Sequence, residues 1–182
     1  ISTGKFDAAQ ADIAAAQKAA PNSIMVLYAQ ALLDNSQGKH AAAKESLQKV
    51  LRAAPEHMPS VLLAGAVENA LGSLAQAEQY LKKYVVNVPG NAYARKLLVA
   101  NLIKQGSVTE AQAALAPLMA GHGNDAHTLA LAGELAMHNR DFAKATDYLE
   151  RAAKIAPNAA PVRTSLAMSK LAQGDDTRAI AE

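Results

Sequence analysis

The 182-residue chain has no cysteine and no tryptophan, and its rings are limited to two Phe and five Tyr. Without cysteine there are no disulfides and no thiolate metal sites. With so few rings, the 51% hydrophobic content is mostly Ala and Leu, residues that lose little entropy in a helix. Such a chain favours closely spaced helices over a thick core of large side chains. No run approaches the roughly 18 apolar residues of a membrane-spanning helix. Charge of either sign is not in excess: 18 basic and 16 acidic residues leave a formal +2. They are spread throughout, so there is no clustered basic face for nucleic acid. Residues 1–20 lack the charged-then-apolar layout of a signal peptide.

What the chain does have is a period. Gly recurs at 4, 38, 72, 106 and 174, and Pro at 21, 55, 89 and 157, an interval of 34 residues or its double. That is the length of one helix–turn–helix repeat. The spacing predicts full repeats over 24–57, 58–91, 92–125 and 126–159, with partial repeats over 1–23 and 160–182, all in a single array. Each repeat is expected to hold a first helix (A) ending at the Gly position and a second (B) ending before the Pro. Both ends cut through a repeat: Lys5–Ala20 reads as a B helix without its A helix, and Gly174 with Ala179 opens another. The chain is therefore expected to be a piece of a longer array.

Local signals agree with these bounds. Ser23, Asn91 and Asp125 are expected N-caps, each offering a side-chain oxygen to free backbone donors. Pro59 and Pro161 suit a first helical turn, where a missing N–H costs nothing. In the B helices Ala stands at 9, 43, 77, 111, 145 and 179, and Ile13, Leu47, Leu81, Leu115 or Leu149 follows four residues later on the same face. In the A helices Ala31, Gly65, Gly133 and Ala167 share one small position. Small residues on A facing small residues on B would give a tight antiparallel pair.

These motifs resemble the tetratricopeptide repeat (TPR), over nearly the whole chain. The match is strong on helix B and the turn and degenerate on helix A, where Arg95 and Arg163 replace a bulky residue. A later A-helix position reads Asp34, Glu68, Leu102, Ala136 and Lys170, where the family usually has an apolar ring. Repeat 92–125 is the least regular, with Val99 in the small position and Gly123 in place of Pro, so a soft point is expected near Ala120–Asp125. The resemblance implies an all-α fold, a right-handed α-solenoid of antiparallel helix pairs. The run Ala75–Tyr84 and the Ala-Pro helix ends at 54–55 and 156–157 further resemble TPR lipoproteins of the bacterial PEP-CTERM/exosortase sorting system. That implies a periplasmic, lipid-anchored envelope protein whose anchor lies outside this segment.

Chemistry is hard to find. His127 and His138 are 11 residues apart, roughly 16 Å along a helix, too far to share a metal. His122 and His127 can approach each other, but nothing completes a site; His40 and His57 read as solvated turn residues. Asp175 and Asp176 read as a helix start. There is no Gly-x-Ser-x-Gly elbow or phosphate loop. No catalytic residue, cofactor or metal is expected, and the chain reads as a non-enzyme.

The family's groove register then supplies the candidate site. It holds Met25, Tyr28, Leu32 and Asn35; Leu62, Ala66 and Asn69; Tyr93, Lys96, Ala100 and Ile103; His127, Ala130, Glu134 and Met137; and Thr164, Met168 and Leu171. This is an apolar groove dotted with amides and isolated charges, and exposed apolar surface commonly marks a partner site. The chaperone-clamping subtype is excluded, because Tyr28 and Leu32, or Leu62 and Ala66, stand where it needs Lys and Asn. Two functions follow: a scaffold that binds a protein or peptide in the groove, or an architectural spacer that self-associates end to end, its A helices packed by neighbours.

Overall fold

The computed structural model describes residues 6–174. They form ten α-helices and, among the described residues, no strand. The chain divides into two compact units, Ile1–Pro89 and Gly90–Glu182. The first holds α1 (Phe6–Ala19), α2 (Ile24–Ser36), α3 (His40–Ala53), α4 (Met58–Ala70) and α5 (Leu74–Asn87). The second holds α6 (Ala92–Lys104), α7 (Val108–His122), α8 (Ala126–His138), α9 (Phe142–Ile155) and α10 (Ala160–Gln173). The helix anticipated around Ala179, and Asp175 with Asp176, lie outside the described residues.

Within each unit successive helices pack together across short turns, which makes them antiparallel neighbours. The A helices also touch one another (α2 with α4, α6 with α8, α8 with α10), whereas among the described residues no two B helices of a unit do. The A helices therefore form the inner side of each unit. Burial follows the same division. In α3 only Ala43, Leu47 and Val50 are buried, one stripe of an amphipathic helix. In α4 burial spreads round the helix to Ser60, Val61, Leu63, Ala64, Gly65, Val67 and Glu68.

The A–B contact is small against large. A Cβ added to Gly65 would lie 2.8 Å from Leu81 Cγ and Cδ2, and one added to Gly133 would lie 2.6 Å from Leu149 Cγ. The B-helix leucine is thus the side chain nearest to each glycine. In the first unit Ala31 shares one core cluster with the B-helix residues Ala43 and Leu47 and with Leu63, Ala64 and Val67 of α4.

Turn chemistry explains the Gly period and its one gap. Gly38, Gly72 and Gly106 close A helices with φ of 73°, 76° and 72°, where a side chain is strained. Arg140 stands at the equivalent place and adopts φ 58°. Arg140→Gly should therefore stabilise the protein by about 0.5–1 kcal/mol, read as a higher urea midpoint; an unchanged or lower midpoint would contradict this account of the turn.

Other expectations need correction. Asn91 and Asp125 cap α6 and α8 through side-chain hydrogen bonds, but Ser23 makes none at α2; Asp141, not anticipated, caps α9. α7 ends at His122, just before Gly123, as expected of a B helix, and it contains Pro117. At its end a Cβ on Gly123 would lie 2.5 Å from the Met119 carbonyl oxygen, one turn back in α7. The polar residues at the late A-helix position are buried: Asp34, Glu68 and Lys170. Glu68 is paired with Lys44 of α3 at 3.0 Å, and Lys170 with Glu150 of α9 at 3.5 Å. Two of the five ring positions thus hold one half of an ion pair, a carboxylate in the first unit and an ammonium in the second.

Candidate functional site: the A-helix faces

In the first unit the groove register falls on α2 and α4. Met25 is 67% exposed, while Tyr28 and Leu32 lie half-buried against the core cluster. Leu62, Ala66 and Asn69 are half-buried on α4. Asn35 Oδ1 is 3.1 Å from His40 Nδ1. Tyr28 meets the His57 ring edge-on, with centroids 5.3 Å apart and planes at 77°. His57 Nδ1 shares a 2.8 Å hydrogen bond with the buried Ser60 Oγ. His57 is therefore a structural partner of Tyr28 rather than a solvated turn residue. Burial first, and then Tyr84, raises the Tyr28 phenol above its ordinary value.

In the second unit Tyr93, Met168 and Leu171 are exposed by 58%, 55% and 51%. His127 and Thr164 are exposed, and Glu134 and Met137 half-buried. Ile103 is the correction: at 5% exposure it belongs to the core, because α6 packs on both α7 and α8. Lys96 is half-buried and ion-paired with Asp125, the α8 N-cap. Burial alone would raise the Asp125 carboxyl. The Lys96 ammonium, with the Thr128 hydroxyl and N–H donating at 2.7 and 3.0 Å, outweighs it and holds the group well below the usual carboxylate range. The one groove-register cation is thus engaged in fixing a helix start.

Two depressions bring register residues together. One, of about 460 Å³, lies on α8 between α6 and the α9–α10 turn and gathers Ala100, His127, Ala130 and Glu134 with Leu131 and Val162. The other, of about 400 Å³, runs along α10 and gathers Thr164, Met168 and Leu171 with Arg163 and Ala167. The wall residues Ala156, Ala159 and Pro161 fall outside the register and were not anticipated, since alanine is too common in this chain to signal a lining. Among the described residues no group of three or more His, Asp or Glu is placed to hold a metal ion, and no helix is long and apolar enough to cross a membrane.

A family model for the tetratricopeptide repeat matches residues 28–92 and 98–160. No curated protein sequence matches the chain. Similar solved structures include a tetratricopeptide repeat protein from Parabacteroides merdae ATCC 43184, 14% identical over 99% of this chain and 72% of that one, with a TM-score of 0.85. YrrB, a TPR protein with an unusual peptide-binding site, is 22% identical over 88% of this chain and 83% of its own, with a TM-score of 0.76. MamA is 21% identical over 87% and 86%, with a TM-score of 0.73. At such identities the likeness is one of fold. The matched residues cover most of the sequence and carry its Gly, Ala, Leu and Pro period, so the chain belongs to the tetratricopeptide repeat family.

Proposed function

We propose that the chain is a non-catalytic interaction scaffold that binds a partner polypeptide, as an extended segment or a helix, on its A-helix faces. One observation carries this reading. Of the seven large hydrophobics exposed among the described residues, four (Met25, Tyr93, Met168 and Leu171) stand at groove-register positions of A helices. Apolar side chains left open at a recurring register serve docking better than they serve the fold, and Met adapts to varied shapes. The peptide-binding site of YrrB is a precedent within the fold. The proposed setting is a bacterial envelope, in protein sorting or exopolysaccharide export. Its support is the run Ala75–Tyr84 and the Ala-Pro helix ends that resemble PEP-CTERM-associated TPR lipoproteins. The two units are proposed to be successive parts of one repeat array.

A second reading, a self-associating spacer, is favoured by Met168 and Leu171 on α10, which would equally suit another copy of the chain. Selection from a displayed peptide library separates the two. The scaffold reading predicts that the wild type enriches a common motif and that a folded Tyr93→Ala/Met168→Ala/Leu171→Ala variant does not. Failure of the wild type to enrich any motif would favour the spacer.

A further inference from the structure

The 460 Å³ depression on α8 has a composition that narrows its occupant. Its walls are largely alanine, with Leu131, Pro161 and Val162, and its two polar lining residues are the exposed His127 and the half-buried Glu134. The register position of Glu134 is Leu32, Ala66, Ala100 and Met168 in the other repeats, so the scaffold is satisfied by an apolar residue there. Three other charges drawn into the fold are ion-paired, Glu68 with Lys44, Lys170 with Glu150 and Lys96 with Asp125, whereas the buried Asp34 has no ion pair among the described residues. Glu134 has no such partner among the described residues. A carboxylate placed beside an apolar wall, at a position where the other repeats have an apolar residue, is a feature that folding does not require.

We infer that this depression receives a lysine or arginine side chain of the partner polypeptide, its alkyl stem against the alanine walls and its cation on Glu134. The inference rests on the A-helix faces being docking surfaces. A leucine of the partner would fill the apolar walls but bury Glu134 without a partner. A short polar cation would pair with Glu134 and leave the walls wet. A long basic side chain meets both demands, since its stem is apolar and its head charged. The depression is within the size range of sites that enclose small groups. A carboxylate gives a cation a charge-assisted hydrogen bond stronger than a neutral one. Specificity at this point of the groove is therefore for positive charge, although the groove as a whole is apolar.

The test titrates the 182-residue protein, labelled with 15N, with acetyl-Ala-Leu-Arg-Leu-Ala-amide, with the same peptide carrying citrulline for arginine, and with agmatine. The expected result is that the arginine peptide shifts the amide signals of Ala130, Glu134 and Val162. The citrulline peptide should bind about tenfold more weakly, as loss of a hydrogen bond to a charged group implies. Glu134→Gln, with an otherwise unchanged spectrum, should bind the two peptides alike. If both peptides shift these signals with equal affinity in the wild type, the docking surface stands and the charge assignment is overturned. If neither shifts them, the docking reading fails for this unit as well. Agmatine binding as tightly as the arginine peptide would overturn the polypeptide as the occupant.

Discussion

Leu81→Ala should lower the unfolding free energy by about 2–5 kcal/mol, the range for truncating a fully buried leucine. The value should fall in the upper part of that range. Leu81 is fully buried and seated over Gly65, which has no side chain to move into the space left behind. The cost of a large-to-small change depends on how far the surroundings can collapse, and here the floor is backbone. The next residue supplies the control. Lys82 is exposed and its ion pair is with Glu78, one turn back on the same helix. Such surface pairs contribute little, so Lys82→Ala should stay within about 0.5 kcal/mol of wild type. Urea unfolding of the two variants measures both, and equal losses would mean that the register of α5 is wrong.

Gly133→Val should be comparably damaging for the opposite reason, by about 3 kcal/mol of overpacking. Helix propensity alone favours the change slightly, because glycine is the poorer helix former. The contact decides the sign: the new Cβ would stand 2.6 Å from Leu149 Cγ, a branch point and not a movable tip. Leu149→Ala by itself should also destabilise, since Leu149 is fully buried. Combined, the two changes should cost less than their sum, because each relieves the other, and such coupling is expected only of residues in contact. Additive losses in the same unfolding assay would show that Gly133 and Leu149 do not pack together.

These two predictions also mark where the sequence stops being informative. The spacing of Gly38, Gly72 and Gly106 locates the A-helix ends, since a left-handed turn selects glycine. Arg140 hides the fourth such turn, because an arginine tolerated at positive φ leaves no compositional trace. The Ala-to-Leu spacing of the B helices places Leu47, Leu81 and Leu149 in the core, since one-turn spacing on a helix decides which residues share a face. It does not say what those leucines meet. That depends on how neighbouring helices are rotated, which is why the seating of Leu81 over Gly65 and of Leu149 over Gly133 is not legible in the spacing. The groove register carries the same uncertainty into the site. Met25, Met168 and Leu171 stand open while Ile103, from the same register, is in the core. His57 reads as a turn residue until its ring is seen against Tyr28, a contact between residues 29 positions apart. The charged residues at the ring position are legible as departures, but their pairing, Glu68 with Lys44 and Lys170 with Glu150, is tertiary and has no local signal.

On the proposed function, scaffold work falls to the B helices and recognition to the exposed faces of the A helices. Exposed apolar side chains on both kinds of helix allow a matched comparison: Met25 and Met168 on A helices, Val86 and Ile155 on B helices. The measurement is the affinity of a library-selected peptide for Met25→Asp/Met168→Asp and for Val86→Asp/Ile155→Asp, by fluorescence anisotropy, with circular dichroism confirming that both variants are folded. The account predicts binding at least about tenfold weaker in the A-helix variant, as expected when anchor residues of an interface are lost, and wild-type affinity in the B-helix variant. Loss of binding in the B-helix variant with the A-helix variant unaffected would contradict it.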